Sequence, residues 1–209
     1  MKLNAQQLRG SDPSTEDLGS ITRNPIYIII DNVLDTYNVG AIFRLADAAA
    51  VSGVYLVGQT AVPTDEKVGH KIHKASVGVW QWVSWEHTDT VKEAVQKIKS
   101  SLRHPGLVPG SIKSTIDSGS EAGMTKSTLR VVAIEQHPNS IAYTKADYSF
   151  PIAFILGHET EGVSKEALEL ADQIVEIPMF GVNKSLNVMV SLAIVMWEAI
   201  GKKEENKNG

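Results

Sequence analysis

The hydrophobic pattern of this chain changes period several times, and each change marks an expected element. Residues 1–24 are mostly polar, broken at Gly10-Ser11-Asp12-Pro13, and read as a short arm. Ile26-Tyr27-Ile28-Ile29-Ile30 is an unbroken β-favouring run of the kind carried by a strand buried on both faces. From Asn38 to Val51 the apolar residues Ile42, Leu45, Ala46 and Ala49 take helical spacing. Gly53–Val57 reads as a second strand, and Gly58–Gly69 as a loop that runs on through a basic patch of His70, Lys71, His73 and Lys74. Trp80–Trp85 alternates loosely, as a strand would. Thr90 with Glu93 has capping-box spacing ahead of a helix over Val91–Lys99. Leu129–Ile134, Ile152–Leu156 and Ile174–Ile177 are further buried strands, with a helix over Val163–Ala171 before the last. Ser185–Ile200 predicts a closing helix, apolar nearly all round and therefore covered on more than one side, and Lys202–Gly209 a polar tail. Strands alternating with helices predict an α/β fold, a mostly parallel sheet flanked by helices, over residues 25–201.

Arg103–Lys126 does not fit this rhythm. It is rich in Gly, Pro, Ser and Thr and stands where a connection of about 2–6 residues is expected. It reads as an inserted surface loop without a catalytic role, which chain entropy tolerates because each doubling of loop length costs only about 0.6 kcal/mol. Composition narrows the class further. With 43% hydrophobic and 21% charged residues in 209, wholesale disorder and fibrous repeats are excluded. The apolar run Leu192–Trp197 is far short of the roughly 20 residues of a membrane helix, and Met1–Asp12 has no apolar signal core. The absence of cysteine excludes disulfides and thiolate sites and fits a reducing, cytoplasmic setting. A net charge of −4 gives no overall basic footprint, so any contact with nucleic acid rests on local placement, with Arg44, Lys71, Lys74 and Lys184 as the candidate basic face.

Ligands of open parallel sheets bind beyond the carboxyl ends of strands, so the segments that follow each strand carry the candidate chemistry. After the first strand, Asn38 is a candidate helix cap, Gly40 permits close approach, and Arg44 sits among Ile42, Phe43 and Leu45. A guanidinium there either lies at the surface with its stem on apolar neighbours or meets an anion. After Leu156 comes Gly157-His158-Glu159-Thr160-Glu161-Gly162, a turn that lacks both the phosphate-loop and the dinucleotide fingerprints. His158 has no partner histidines at metal-ligand spacing and reads as an ordinary turn residue. After Ile177, the Pro178–Lys184 loop leads to Ser185, a favoured cap, and to Asn187, a polar amide at the start of an oily helix.

Three segments together resemble the motifs of the SpoU/TrmH family of RNA ribose 2′-O-methyltransferases in the SPOUT superfamily. They are Asn38-x-Gly40-Ala41-Ile42-x-Arg44, Leu156-Gly157-His158-Glu159-x-Glu161-Gly162-Val163-Ser164, and Ile177-Pro178-Met179-x-Gly181-x-x-x-Ser185-Leu186-Asn187-Val188. Met189 stands where many members carry a small residue. The resemblance implies a C-terminal deep trefoil knot, S-adenosylmethionine held among the knot loops, a homodimer, and a tRNA or rRNA substrate. It implies cofactor contacts from Ile134, Leu156, Gly157, Ile177 and Met179 in the loops Ile134-Glu135, Leu156-Gly157 and Ile177-Pro178-Met179, with Ser185 and Leu186 closing the pocket; the residues themselves form no metal-ligand cluster. It also implies a catalytic set of Arg44 with Asn38, Glu159, Ser185 and Asn187. In the family the arginine is the proposed base, although a guanidinium keeps its proton in proteins, so phosphate clamp and alkoxide stabiliser stand as alternatives. A site shared across the dimer is one arrangement the resemblance allows. The competing reading is a catalytically silent RNA-binding or assembly factor of the same fold; a nicotinamide enzyme is disfavoured by the missing glycine fingerprint.

Overall fold

Alternation along the first buried run decides how the layers assemble. The computed structural model describes residues 13–103 and 128–208. The arm up to Asp12 and nearly all of the expected insertion at 103–126 lie outside them. Strand β1 (Asn24–Asp31) sends Ile26, Ile28 and Ile30 to one face and Tyr27 and Ile29 to the other, as a period of two requires. On the first face pack helices α2 (Thr36–Ala48), α3 (Gly69–Ser76) and α6 (Val188–Asn208), through Ile42, Phe43, Ile72, Leu192, Val195 and Met196. On the second pack α4 (Val91–Arg103) and α5 (Lys165–Leu170), through Val95, Ile98 and Ala167. The remaining strands are β2 (Val51–Val57), β3 (Trp85–Thr88), β4 (Arg130–Ile134), β5 (Ile141–Ala142), β6 (Ile152–Leu156) and β7 (Gln173–Glu176). The sheet runs β3-β2-β1-β6-β4-β7-β5 with every pairing parallel. The mostly parallel α/β sheet flanked by helices is therefore as expected.

Several local expectations change. The arm contains a short helix, α1 (Thr15–Gly19), closed by a capping box between Ser14 and Asp17. The basic stretch after Gly69 is helix α3, not loop, and Gly40 explains its seat: a Cβ there would lie 2.5 Å from the Ala75 Cβ and 2.8 Å from the Ile72 carbonyl oxygen. His73 is bound within the fold, with Nε2 2.8 Å from the Pro63 carbonyl and its ring stacked 4.5 Å from Trp80. Trp80–Trp85 is a 3₁₀ turn (Val79–Gln81) followed by the start of β3. Thr90 does accept the Glu93 N–H, but the Glu93 carboxylate reaches back to the Asp89 N–H. Helix α6 runs on to Asn208, and Lys202 Nζ donates to the carbonyls of Thr144 and Ala146. Its inner face is buried, while Val190 and Trp197 remain exposed, so within one chain it is covered on one side only. Among the described residues no helix is long and apolar enough to cross a membrane.

Candidate functional site

The carboxyl ends of β1, β4, β6 and β7 surround one cavity of about 640 Å³. Asn38, Ile134, Leu156, Gly157, Glu159, Ile177, Met179, Ser185, Leu186 and Asn187 all line it. Arg44 does not. It lies exposed on α2, six residues past Asn38, which places it about 120° round the helix from that side chain.

The polar wall is built on Asn38, which is not the helix cap. Asp35 caps α2 by accepting the Tyr37 N–H at 2.8 Å, which frees Asn38 to sit inside the first turn, 7% exposed. Its Nδ2 donates to Glu159 Oε1 at 3.0 Å, and its Oδ1 accepts from Asn187 Nδ2 at 2.8 Å. Asn187 Oδ1 in turn accepts the Met189 N–H at 2.9 Å, so Asn187, and not Ser185, caps α6. Ser185 lies in the exposed loop before it, its N–H on Asn183 Oδ1 at 3.2 Å. Glu159 also accepts the N–H groups of Leu34 at 3.2 Å and Asp35 at 3.1 Å. Burial pushes the Glu159 pKa up, but the bonds from Asn38, from its own N–H and from those of Asp35 and Leu34 outweigh it and hold the carboxyl below its ordinary 4.5. The result is one directional chain from the N-terminus of α6 through two amides to a carboxylate.

The β6 turn is held from within. His158 and Gly162 exchange backbone hydrogen bonds at 3.0 and 2.9 Å, and His158 Nδ1 accepts the N–H groups of Thr160 and Glu161. His158 is thus the turn residue its sequence setting suggested, and among the described residues no group of three metal-ligating side chains exists. A Cβ at Gly157 would fall 2.2 Å from the Gly162 backbone, so a side chain has no room there. Asp31, 2% exposed at the end of β1, accepts the Ser164 N–H at 3.0 Å and fixes the start of α5. Sequence reading missed Asp31 and Gln136 and reached Glu135 only as part of a loop. Each is a polar residue directly at a strand's carboxyl end, which was the available signal.

The fold and cavity define an open parallel α/β protein with its main cavity at the carboxyl ends of the strands. Residues 25–197 match the SpoU rRNA Methylase family. A tRNA (guanosine(18)-2′-O)-methyltransferase of Aquifex aeolicus is 28% identical over 86% of this chain and 71% of its own length. The Thermus thermophilus enzyme of that name is 31% identical over 82% of this chain and 72% of its own. The solved structure of an AdoMet-bound rRNA methyltransferase from Sinorhizobium meliloti superposes with a TM-score of 0.66 at 25% identity, covering 93% of this chain and 60% of that one. The chain belongs to the SpoU rRNA methylase family.

Proposed function

We infer that this chain transfers a methyl group from S-adenosylmethionine to a ribose 2′-hydroxyl of structured RNA, either tRNA or ribosomal RNA. One observation carries this reading: the three motif segments, far apart in sequence, meet on a single cavity and are joined there by the Glu159–Asn38–Asn187 hydrogen-bond chain. The cavity suits the cofactor. Its volume, about 640 Å³, falls within the roughly 300–1,000 Å³ of ligand clefts and cavities. Ile134, Leu156, Ile177, Met179 and Leu186 offer apolar walls for a flat base, while Gly157 and Ser185 bring backbone within reach of its polar edge. When bound, the cofactor supplies an electrophilic methyl group.

The chain's own residues position the acceptor. Asn38, Glu159, Ser185 and Asn187 orient the target ribose, and the amides are held so that no reorganisation is needed as the ribose arrives. Arg44 acts on the 2′-oxygen. Because a guanidinium keeps its proton, its role here is to stabilise the negative charge that develops on that oxygen as the hydroxyl proton passes to solvent.

Arg44 lies outside its own chain's cavity, and this supports a homodimer in which a second copy's arginine completes the site. The exposed apolar residues Tyr37, Phe180, Val182, Val190 and Trp197 support the same arrangement. The return of the chain after β7, past the ends of β4 and β6 and into a helix packed on α2, supports a trefoil knot through the C-terminal third. Residues 25–201 would form the methyltransferase domain, with 103–126 a surface loop upon it. A cysteine-free protein that modifies tRNA or rRNA belongs in the cytoplasm.

Calorimetry with S-adenosylmethionine, followed by transfer of labelled methyl to tRNA and rRNA fractions, tests the reading. Failure to bind the cofactor leaves the silent RNA-binding or assembly factor in its place. Mapping ribose methylation in RNA from cells lacking the protein would identify the nucleotide.

A further inference from the structure

Two adjacent side chains at the end of β4 tie the cofactor loops to one another. The Glu135 carboxylate accepts two backbone N–H groups at 2.8 Å each: that of Gln136 on Oε1 and that of Val163, on the turn after β6, on Oε2. Gln136 reaches the other way, its Nε2 donating to the Lys184 carbonyl in the loop after β7. The Glu135 N–H adds a bond to the Val175 carbonyl at 3.0 Å. One dipeptide thus bridges the loops after β4, β6 and β7. The facing residue fits this arrangement: Gly162 has φ +74°, and a Cβ on it would lie 2.2 Å from Glu135 Oε2.

We infer that Glu135 and Gln136 are positioning residues that set the width of the cofactor cavity before the ligand binds. They control affinity for S-adenosylmethionine rather than the rate of methyl transfer. Loops already held at the bound spacing lose little freedom on binding, so releasing them weakens affinity. Both side chains are engaged with backbone groups and neither is assigned to the 2′-oxygen, so their loss removes binding that is equal in ground and transition states. The inference rests on the methyltransferase reading.

The test uses the full chain with Glu135→Gln, which keeps the shape but turns an N–H₂ toward a backbone N–H, and with Gln136→Ala, an exposed position. Calorimetric Kd for S-adenosylmethionine should rise about ten- to a hundredfold in the first and about three- to tenfold in the second. With RNA, kcat at saturating cofactor should stay within about threefold while KM for the cofactor follows Kd. An unchanged Kd in a folded variant overturns the inference, as does a fall in kcat with Kd intact. If Glu135→Gln does not fold, an unchanged Kd in Gln136→Ala overturns it alone. A wild-type chain that binds no S-adenosylmethionine overturns both this inference and the reading beneath it. Where the wild-type chain binds and transfers, a weakened Kd in the variants belongs to the dipeptide alone and supports the inference.

Discussion

Two sides of the molecule, the polar wall of the cavity and the surface beyond it, differ in how far the chain satisfies its own groups. Along one side, Glu159, Asn38 and Asn187 are bonded to one another and to backbone, and Asn38 is buried. On the other, the loop after β7 exposes Phe180 at 97% and Val182 at 102%, Trp197 projects from α6, and Arg44 stands on α2 with no hydrogen bond or ion pair to the described residues. Burying a polar group without partners is costly, so Asn38, the buried member, must be satisfied before anything binds. Exposed apolar side chains, and a guanidinium with no partner among the described residues, carry the opposite message, of a surface completed from elsewhere.

The sharpest way to break this contrast is Arg44→Ala. Methyl transfer should fall at least about a hundredfold, with the cofactor Kd within about twofold and the melting temperature unchanged, because the exposed side chain has no hydrogen bond or ion pair to the described residues. Turnover retained in that variant would remove Arg44 from the site. Next comes Asn38→Ala, which strips Glu159 of a donor and Asn187 of an acceptor. We expect a stability loss of about 2 kcal/mol in urea unfolding, and a wild-type midpoint would mean that the polar wall is incidental. On the outer side, Trp197→Glu should weaken self-association about tenfold in sedimentation while each chain stays folded; sedimentation identical to wild type would take α6 out of the contact. The smallest effect concerns pH. Since the folded Glu159 pKa lies below 4.5, its contribution to stability is full above that value and lost as pH falls through the lower, folded one. Glu159→Gln should therefore flatten the acid limb of a melting-temperature profile slightly, the carboxylate being largely exposed. A steeper limb in the variant would reverse the assignment.

Long buried strands were the most legible part of the fold. Ile26–Ile30 and Ile152–Leu156 are apolar on consecutive positions because sheet neighbours and helices enclose both faces, and nothing else in a chain of this composition demands such runs. Helix α3 was not legible. Its first turn has no side-chain cap, it ends at Val77 in a left-handed conformation, and its stability comes from seating Ile72 in the core and lying against Gly40 rather than from caps of its own. Strand β5 has two residues and exists only by pairing with β7. The site divides similarly. The motif residues could be named from their places after strands, whereas the bonds among them join positions more than a hundred residues apart. Asn38 therefore read as a cap when Asp35 stood three residues before it, equally suited to the task.

The amide chain from α6 to Glu159 has a direction, each link donating the same way, and direction restricts substitution more tightly than shape does. An aspartate at position 38 would have the outline of asparagine, yet it would face Glu159 with a second negative charge and offer it no proton. An aspartate at 187 would still cap the helix while losing its hold on Asn38. Hydrolysis of either side-chain amide, an exchange of NH₂ for OH, would reproduce those two states in an ageing molecule without any mutation. Its wear would then register as a site whose fold is intact and whose alignment is gone.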